Sequence, residues 1–200
     1  TGNQVRRNEP RAQHAEENDC DEPSPYPAPP ASKEMTSLMV RQRTQLGPSA
    51  SESIPVVHIK NRTRHPILYR KQIARIENAR PGDLVAVYTD GHTEPQGYGV
   101  YNPRSEMSVR MLWNSPAFPT DETWAEKLRA AVSLRRDTLK LDAQSDAWRV
   151  VHSESDGLSG IVIDRFGDVL SAETFGLGMY QRASLLLPML ASQMGLPHWL

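Results

Sequence analysis

Glu154 and Asp156 flank Ser155 ahead of a glycine, and two carboxylates this close are what general acid–base catalysis or a hard cation would use. A second group is cationic. Lys60, Arg62, Arg64, Arg70, Lys71, Arg75 and Arg80 share a span whose only acid is Glu77. A local positive field of this kind suits a phosphate backbone, because each neutralised phosphate releases counterions. The third is Cys20, the single thiol; a nucleophilic thiolate needs a cationic, shaped environment. Each group also has a plainer use. Asp156-Gly157 is a strong turn dipeptide, a basic run can be a solvated face, and Cys20 sits among polar residues and prolines. His58, His65, His92, His152 and His198 are scattered, so no histidine cluster joins the carboxylates.

The elements that must hold these residues follow from hydrophobic patterning. The carboxylates lie in HSESDGLSGIVIDRFGDVL, from His152 to Leu170. Val150-Val151 leads in, Asp156-Gly157 turns, and Gly160 opens the β-branched run Ile161-Val162-Ile163. Asp164 to Asp168 reads as a second turn before Val169-Leu170, so the stretch predicts a β-meander. The cations belong with short strands: Ile54 to Ile59, Leu84 to Tyr88, Gly97 to Tyr101 and Met107 to Trp113. Turns at Arg80-Pro81-Gly82-Asp83, Asp90-Gly91 and Asn102-Pro103 separate them, which implies a small closed or half-closed barrel. Gly97 and Gly99 within a strand imply a bulge or a close backbone approach.

A helix should follow Pro119, with Thr123 and Glu126 at capping-box spacing. Trp124, Leu128, Ala131, Val132, Arg135 and Leu139 trace one face, which reads as core. After a strand from Leu170 to Phe175 comes Gly176-Leu177-Gly178 and a helical run from Met179 to about Met194, which Pro188 should kink or stop. This is not read as a dinucleotide fingerprint: Gln181 takes the third glycine position, and no acid follows to hold a ribose.

Composition sets the bounds. The chain has 200 residues, a formal net charge of -1 and one cysteine, so any nucleic-acid surface must be a local patch, and an internal disulfide or cysteine-based zinc site is excluded. No run approaches the roughly 18 apolar residues of a spanning helix, and the start lacks a secretory pattern. Residues 1–53 are polar and proline-rich, and disorder is expected there, with a short helix possible over Lys33 to Gln45.

The order of Glu154, Asp156, Gly157, Leu158, Gly160, Asp164, Arg165 and Gly167 resembles the E-x-DGL-x-G-x-x-x-DR-x-G block of the bacterial S-adenosylmethionine-dependent large-subunit ribosomal RNA cytosine C5 methyltransferases that carry an N-terminal PUA domain. Arg64-His65-Pro66, Pro81-Gly82-Asp83, Gly99-Val100-Tyr101-Asn102-Pro103-Arg104-Ser105 and Val109-Arg110 resemble that PUA domain in order and spacing. Ile67 stands where the family usually has tryptophan. Trp148-Arg149-Val150-Val151, the basic pair Arg135-Arg136, and Gly178, Gln181 and Arg182 also match.

The resemblance implies an α+β fold: a disordered tail (1–53), a PUA-like RNA-binding barrel (54–115) and part of a central α+β domain (116–200). It implies the RNA-binding and positioning portion of such a methyltransferase, with structured RNA, ribosomal RNA first of all, as partner; a cytoplasmic location is the default expectation for a sequence with neither a spanning run nor a secretory pattern. Lys60, Arg62, Arg64, His65, Arg70 and Lys71 are the expected RNA contacts. Glu154, Asp156, Gly157, Gly160, Asp164 and Arg165 are the family signature, expected to support structure or an active site. The cofactor of a complete family member is S-adenosyl-L-methionine. The Gly-rich loop for it and the cysteine that adds to the cytosine ring are not found here, so no cofactor, no metal and no catalytic residue is expected in this chain. A truncated gene product is one expectation, a stand-alone RNA-binding module is the alternative, and a small hydrolase or metal site at the acidic hairpin is a third.

Overall fold

The computed structural model describes residues 43–48 and 52–200. Most of the stretch expected to be disordered, most of the possible helix at 33–45, and Cys20 lie outside these residues. Arg43 to Pro48, assigned by composition to the tail, is a run of bends in which Leu46 is buried.

Among the described residues, twelve strands and α-helices follow in chain order: β1 (Val56–Ile59), β2 (Ile67–Tyr69), β3 (Ile73–Glu77), β4 (Leu84–Thr89), β5 (Gly97–Tyr101), β6 (Met107–Trp113), α1 (Asp121–Ser133), β7 (Ala147–His152), β8 (Ile161–Phe166), β9 (Val169–Thr174), α2 (Leu177–Met194) and β10 (His198–Trp199). The first six form one sheet in the order β2-β6-β5-β4-β1-β3, and the rest of the strands form β10-β9-β8-β7. The fold is thus α+β, with a curled six-stranded half-barrel ahead of a smaller sheet and two helices.

The four expected barrel strands are present. β2 and β3 are additional to them. Both are edge strands, and β3 buries none of its residues fully, so its sequence reads as a charged run. β4 and β5 are buried on both faces, which explains their continuous apolar composition. Val85 and Val87 join Val57, Ile59, Leu68, Val109 and Met111 in the barrel core. Leu84 and Ala86, on the opposite face, join Trp124, Leu128, Ile161, Ile163 and Leu190 in a second, larger core. The two sheets therefore share hydrophobic packing through the back of β4 and β5.

The glycines of β5 do what the sequence implies. A side chain at Gly97 would strike the Trp113 carbonyl and one at Gly99 the Arg110 carbonyl, and the β5–β6 register shifts between Tyr98 and Gly99.

Several local expectations are corrected. α1 begins at Asp121 with Thr120 as its N-cap, so Thr123 lies inside the first turn and its hydroxyl donates to the Thr120 carbonyl at 2.8 Å. The buried face runs from Trp124 to Arg135, but Leu139 is exposed, because the chain passes through a π-helical turn at Leu134–Thr138 that changes the phase. Asp164, Arg165 and Phe166 belong to β8, and the turn to β9 is confined to Gly167-Asp168. α2 runs through Pro188 unbroken. The missing N–H costs a helix about 3 kcal/mol, and the buried flank of Leu186, Leu187, Leu190 and Ala191 supplies packing to offset it.

Candidate nucleic-acid interface

The cations of the barrel divide into two sets. Arg75 is held by Glu77 at 3.1 Å and Asp90 at 3.5 Å and lies 3.1 Å from His58. That contact with Arg75, chiefly its hydrogen bond, holds the Glu77 carboxyl below its ordinary range. Arg70 reaches across to the β5–β6 loop, donating to the Pro103 carbonyl at 2.9 Å and pairing with Glu106 at 3.5 Å. Lys60, Arg62, Arg64 and Lys71 are exposed and have no side-chain ion pair among the described residues. Among the described residues, four of the five expected basic contacts thus have no ion-pair partner, while Arg70 is tied to a neighbouring loop.

Lys60, Arg62 and Arg64 lie on the β1–β2 connection, and Lys71 lies on the short 3-10 turn Arg70–Gln72. The Lys60 amide donates to the Gln72 carbonyl at 3.0 Å, and Lys60, Asn61, Lys71 and Gln72 line one hollow of about 260 Å³. Arg62 lines a second hollow, of about 130 Å³, with His92, Glu94, Gln96 and Asn114. The connection is fastened from below by Gln96, which is buried. Its amide donates to the Thr63 carbonyl, and its oxygen accepts from the Thr63 amide at 3.4 Å and the Thr89 hydroxyl at 3.3 Å. Sequence reasoning misses Gln96, because a glutamine between a proline and a glycine carries no local signal for this role.

His65 is exposed, and its Nδ1 lies 2.8 Å from the Ile67 carbonyl and 3.1 Å from the Ile67 amide. These contacts fix the ring against its own backbone at the entry to β2. Ile67, in the position where the family usually has tryptophan, is half-buried.

The signature carboxylates lie elsewhere and are engaged. They fall in a 3-10 turn, Ser153–Asp156. Asp156 accepts two hydrogen bonds from Arg135, at 2.6 and 2.9 Å, and one from the His152 amide. Glu154 accepts from Arg110 of β6 at 2.6 Å and from the Ser159 hydroxyl at 2.7 Å. Burial alone would raise the Glu154 carboxyl, but hydrogen bonds from Ser153 and Ser159 and the charge of Arg110 outweigh it, and its pKa lies below the ordinary value. Gly157 ends the turn in the left-handed region at φ 67°, and Gly160, at φ 94°, leaves room for the Arg110 side chain. Asp164 pairs with Arg149 at 2.9 Å, and Arg165 with Asp142 at 2.9 Å. Each charged signature residue is thus a clasp, and Glu154 and Asp156 bind different arginines instead of converging on one reacting atom. Among the described residues no group of three or more histidine, cysteine, aspartate or glutamate side chains could hold a metal.

A third cluster joins motifs that are remote in sequence. Arg182 of α2 is fully buried and donates to the carbonyls of Gly82 at 2.8 Å, Gly178 at 2.7 Å and Leu46. Burial pulls its pKa down to about 9, which leaves it charged at neutral pH. Arg43 donates to Asp83 and to the Gln181 side chain. A side chain at Gly178 would come within 2.8 Å of Val100 Cβ. The Pro81-Gly82-Asp83 turn and the Gly178–Arg182 segment are therefore two halves of one packed junction. The space that a glycine leaves at Gly178 is filled by Val100, so these residues do not form a cradle for S-adenosylmethionine.

Residues 58–114 match the family described as a PUA-like domain. Ribosomal RNA large subunit methyltransferase I of Erwinia tasmaniensis is 35% identical over 126 residues, covering 62% of this chain and 31% of that protein. The protein of that name from Photobacterium profundum is 32% identical over 129 residues, 63% and 32% of the two chains. That from Escherichia coli is 32% identical over 125 residues, 62% and 31%. Among solved structures, a candidate S-adenosylmethionine-dependent methyltransferase from Streptococcus mutans aligns with a TM-score of 0.55 at 14% identity, over 72% of this chain and 38% of that one. A candidate methyltransferase solved with SAH aligns with a TM-score of 0.53 at 13% identity, over 70% and 37%. At such identities the structural likeness is one of fold. The chain spans about a third of the length of the curated relatives it matches. Over that third it is similar to bacterial ribosomal RNA large subunit methyltransferase I, and its residues 58–114 match the PUA-like domain.

Proposed function

We propose that this chain is the RNA-binding and positioning portion of an S-adenosylmethionine-dependent methyltransferase acting on cytosine C5 of large-subunit ribosomal RNA, in the cytoplasm. The observation that carries the reading is the group Lys60, Arg62, Arg64 and Lys71, four exposed cations with no carboxylate partner among the described residues, the first three on a connection fastened by a buried glutamine. A cation already paired within the protein gains little by meeting a phosphate; an unpaired one releases the counterions of that phosphate. Such contacts fix register and orientation without reading sequence, which is what a positioning module must do. His65, exposed on the same connection, and the exposed part of Arg70 add to this set.

The domain division at about residue 115 is part of the same reading: the half-barrel meets RNA, and the segment after it links to the methyl-transferring part of a complete protein. That part supplies S-adenosyl-L-methionine chemistry when the cofactor is bound; the residues of this chain bind RNA, orient it and clasp the two sheets together. No helix among the described residues is long and apolar enough to cross a membrane.

The test is a titration of the 200-residue chain with a structured fragment of large-subunit ribosomal RNA over a salt series. Affinity should fall steeply and linearly in logarithmic coordinates as salt rises. Undetectable or salt-independent binding would remove the reading.

A further inference from the structure

The half-barrel carries one aromatic ring whose setting the fold does not account for. Tyr69, the last residue of β2, is 39% exposed, while Tyr98 and Tyr101 are buried and Tyr88 and Trp113 half-buried. Leu68 beside it points inward and is fully buried, so the alternation of the strand sends Tyr69 outward.

Its backbone is held firmly. The Tyr69 amide donates to the Gln72 side chain at 2.8 Å, and the next amide, that of Arg70, donates to the Glu106 carbonyl at 2.8 Å. The His65 ring, itself fixed through Nδ1 to the Ile67 backbone, stands against Tyr69 with centroids 6.4 Å apart and planes tilted by 39°. That tilt leaves no parallel slot between the rings. His65 stands beside the Tyr69 ring without covering the residue, which stays 39% exposed. Arg64 and Lys71, both without carboxylate partners among the described residues, are close in sequence on either side of this ring pair.

A backbone-anchored, half-exposed ring, flanked in sequence by cations with no carboxylate partner among the described residues, has the chemistry of a stacking platform. Bases stack on such rings while the cations hold the flanking phosphates, and only a base released from its helix has a free face to offer. We infer that Tyr69 stacks on an unpaired nucleobase of the bound RNA, with His65 as the brace that sets its orientation. The inference rests on the RNA-binding reading above and deepens it: the ligand is RNA with a loop or bulge at this position, and uniform duplex lacks the feature Tyr69 engages.

The experiment uses two RNA probes of equal length, a hairpin carrying a fluorescent adenine analogue in its loop and a fully paired duplex. Wild-type chain should favour the hairpin and quench the analogue. Tyr69→Ala should weaken hairpin binding roughly 5- to 150-fold, abolish the quenching, and leave duplex affinity and the melting temperature unchanged. Tyr69→Trp should restore both binding and quenching. If the wild type binds the hairpin with salt-dependent affinity and Tyr69→Ala binds it equally well, stacking is overturned while RNA binding stands. If the wild type binds neither probe, both fall.

Discussion

Arg135 holds Asp156 through two parallel hydrogen bonds of 2.6 and 2.9 Å, between side chains that are 10% and 6% exposed. The π-helical turn after α1 carries the arginine, and the 3-10 turn between β7 and β8 carries the aspartate. A fork-to-fork pair of this geometry is among the stronger polar contacts a protein makes. Removing one partner leaves the other charge buried and uncompensated. Arg135→Met and Asp156→Asn should each destabilise the fold by about 3–5 kcal/mol, read as a lower urea midpoint at unchanged slope. The double replacement Arg135→Met, Asp156→Leu should cost less than the sum.

Glu154 gives the fold a defined response to acid. Its folded pKa lies below the ordinary 4.5, so its contribution to stability is fully present above the unfolded value and is lost as pH falls through the folded one. The melting temperature should drop as pH is lowered below about 4.5, and Glu154→Gln should flatten that part of the profile. Equal acid sensitivity in the two proteins would assign the effect to other carboxylates.

Gly178 tests the junction between half-barrel and α2. A methyl group there would meet Val100 Cβ at 2.8 Å, with the Gly82 carbonyl 3.4 Å away. Gly178→Ala should destabilise by about 1–3 kcal/mol, the usual cost of overpacking a filled site, although alanine is the better helix former. A stabilised Gly178→Ala in denaturant unfolding would show that the junction is looser than described.

Gln96 separates positioning from contact. Gln96→Leu should cost about 1–3 kcal/mol of stability through the Thr63 and Thr89 groups it leaves unpaired. It should also weaken RNA binding without changing the net charge of the surface. Isothermal titration alongside thermal melting checks both; unchanged affinity would mean that the connection keeps its shape without Gln96.

Much of this arrangement is legible in the sequence, for physical reasons that differ by residue. The apolar run Leu84-Val85-Ala86-Val87 announces a strand buried on both faces, and Gly97 and Gly99 announce a close approach because only backbone fits there. The stripe from Trp124 to Arg135 follows helical phase until the π-helical turn breaks it, and Leu139 falls on the wrong side of that break. Edge strand β3 is illegible because its exposed positions need no apolar residue, so Arg75 and Glu77 mask it, and β2 is illegible because Ile67-Leu68-Tyr69 is only three residues long. The basic group itself is visible, but not its division. Nothing local distinguishes Arg70, which bonds to the Pro103 carbonyl 33 positions away, from Arg64, which does not. Gln96 and the buried Arg182 depend wholly on partners that the fold supplies.

The most direct test of the proposed RNA surface is the salt dependence of binding in Lys60→Ala, Arg62→Ala, Arg64→Ala, Lys71→Ala and the fourfold variant. Each duplex phosphate that a variant no longer neutralises should reduce the slope of log affinity against log salt by about 0.9, and each single-strand phosphate by about 0.7. The fourfold variant should lose most of the slope, and Arg75→Ala, whose charge is already paired, should stay close to wild type. A fourfold variant that keeps the wild-type slope would contradict the proposed RNA surface.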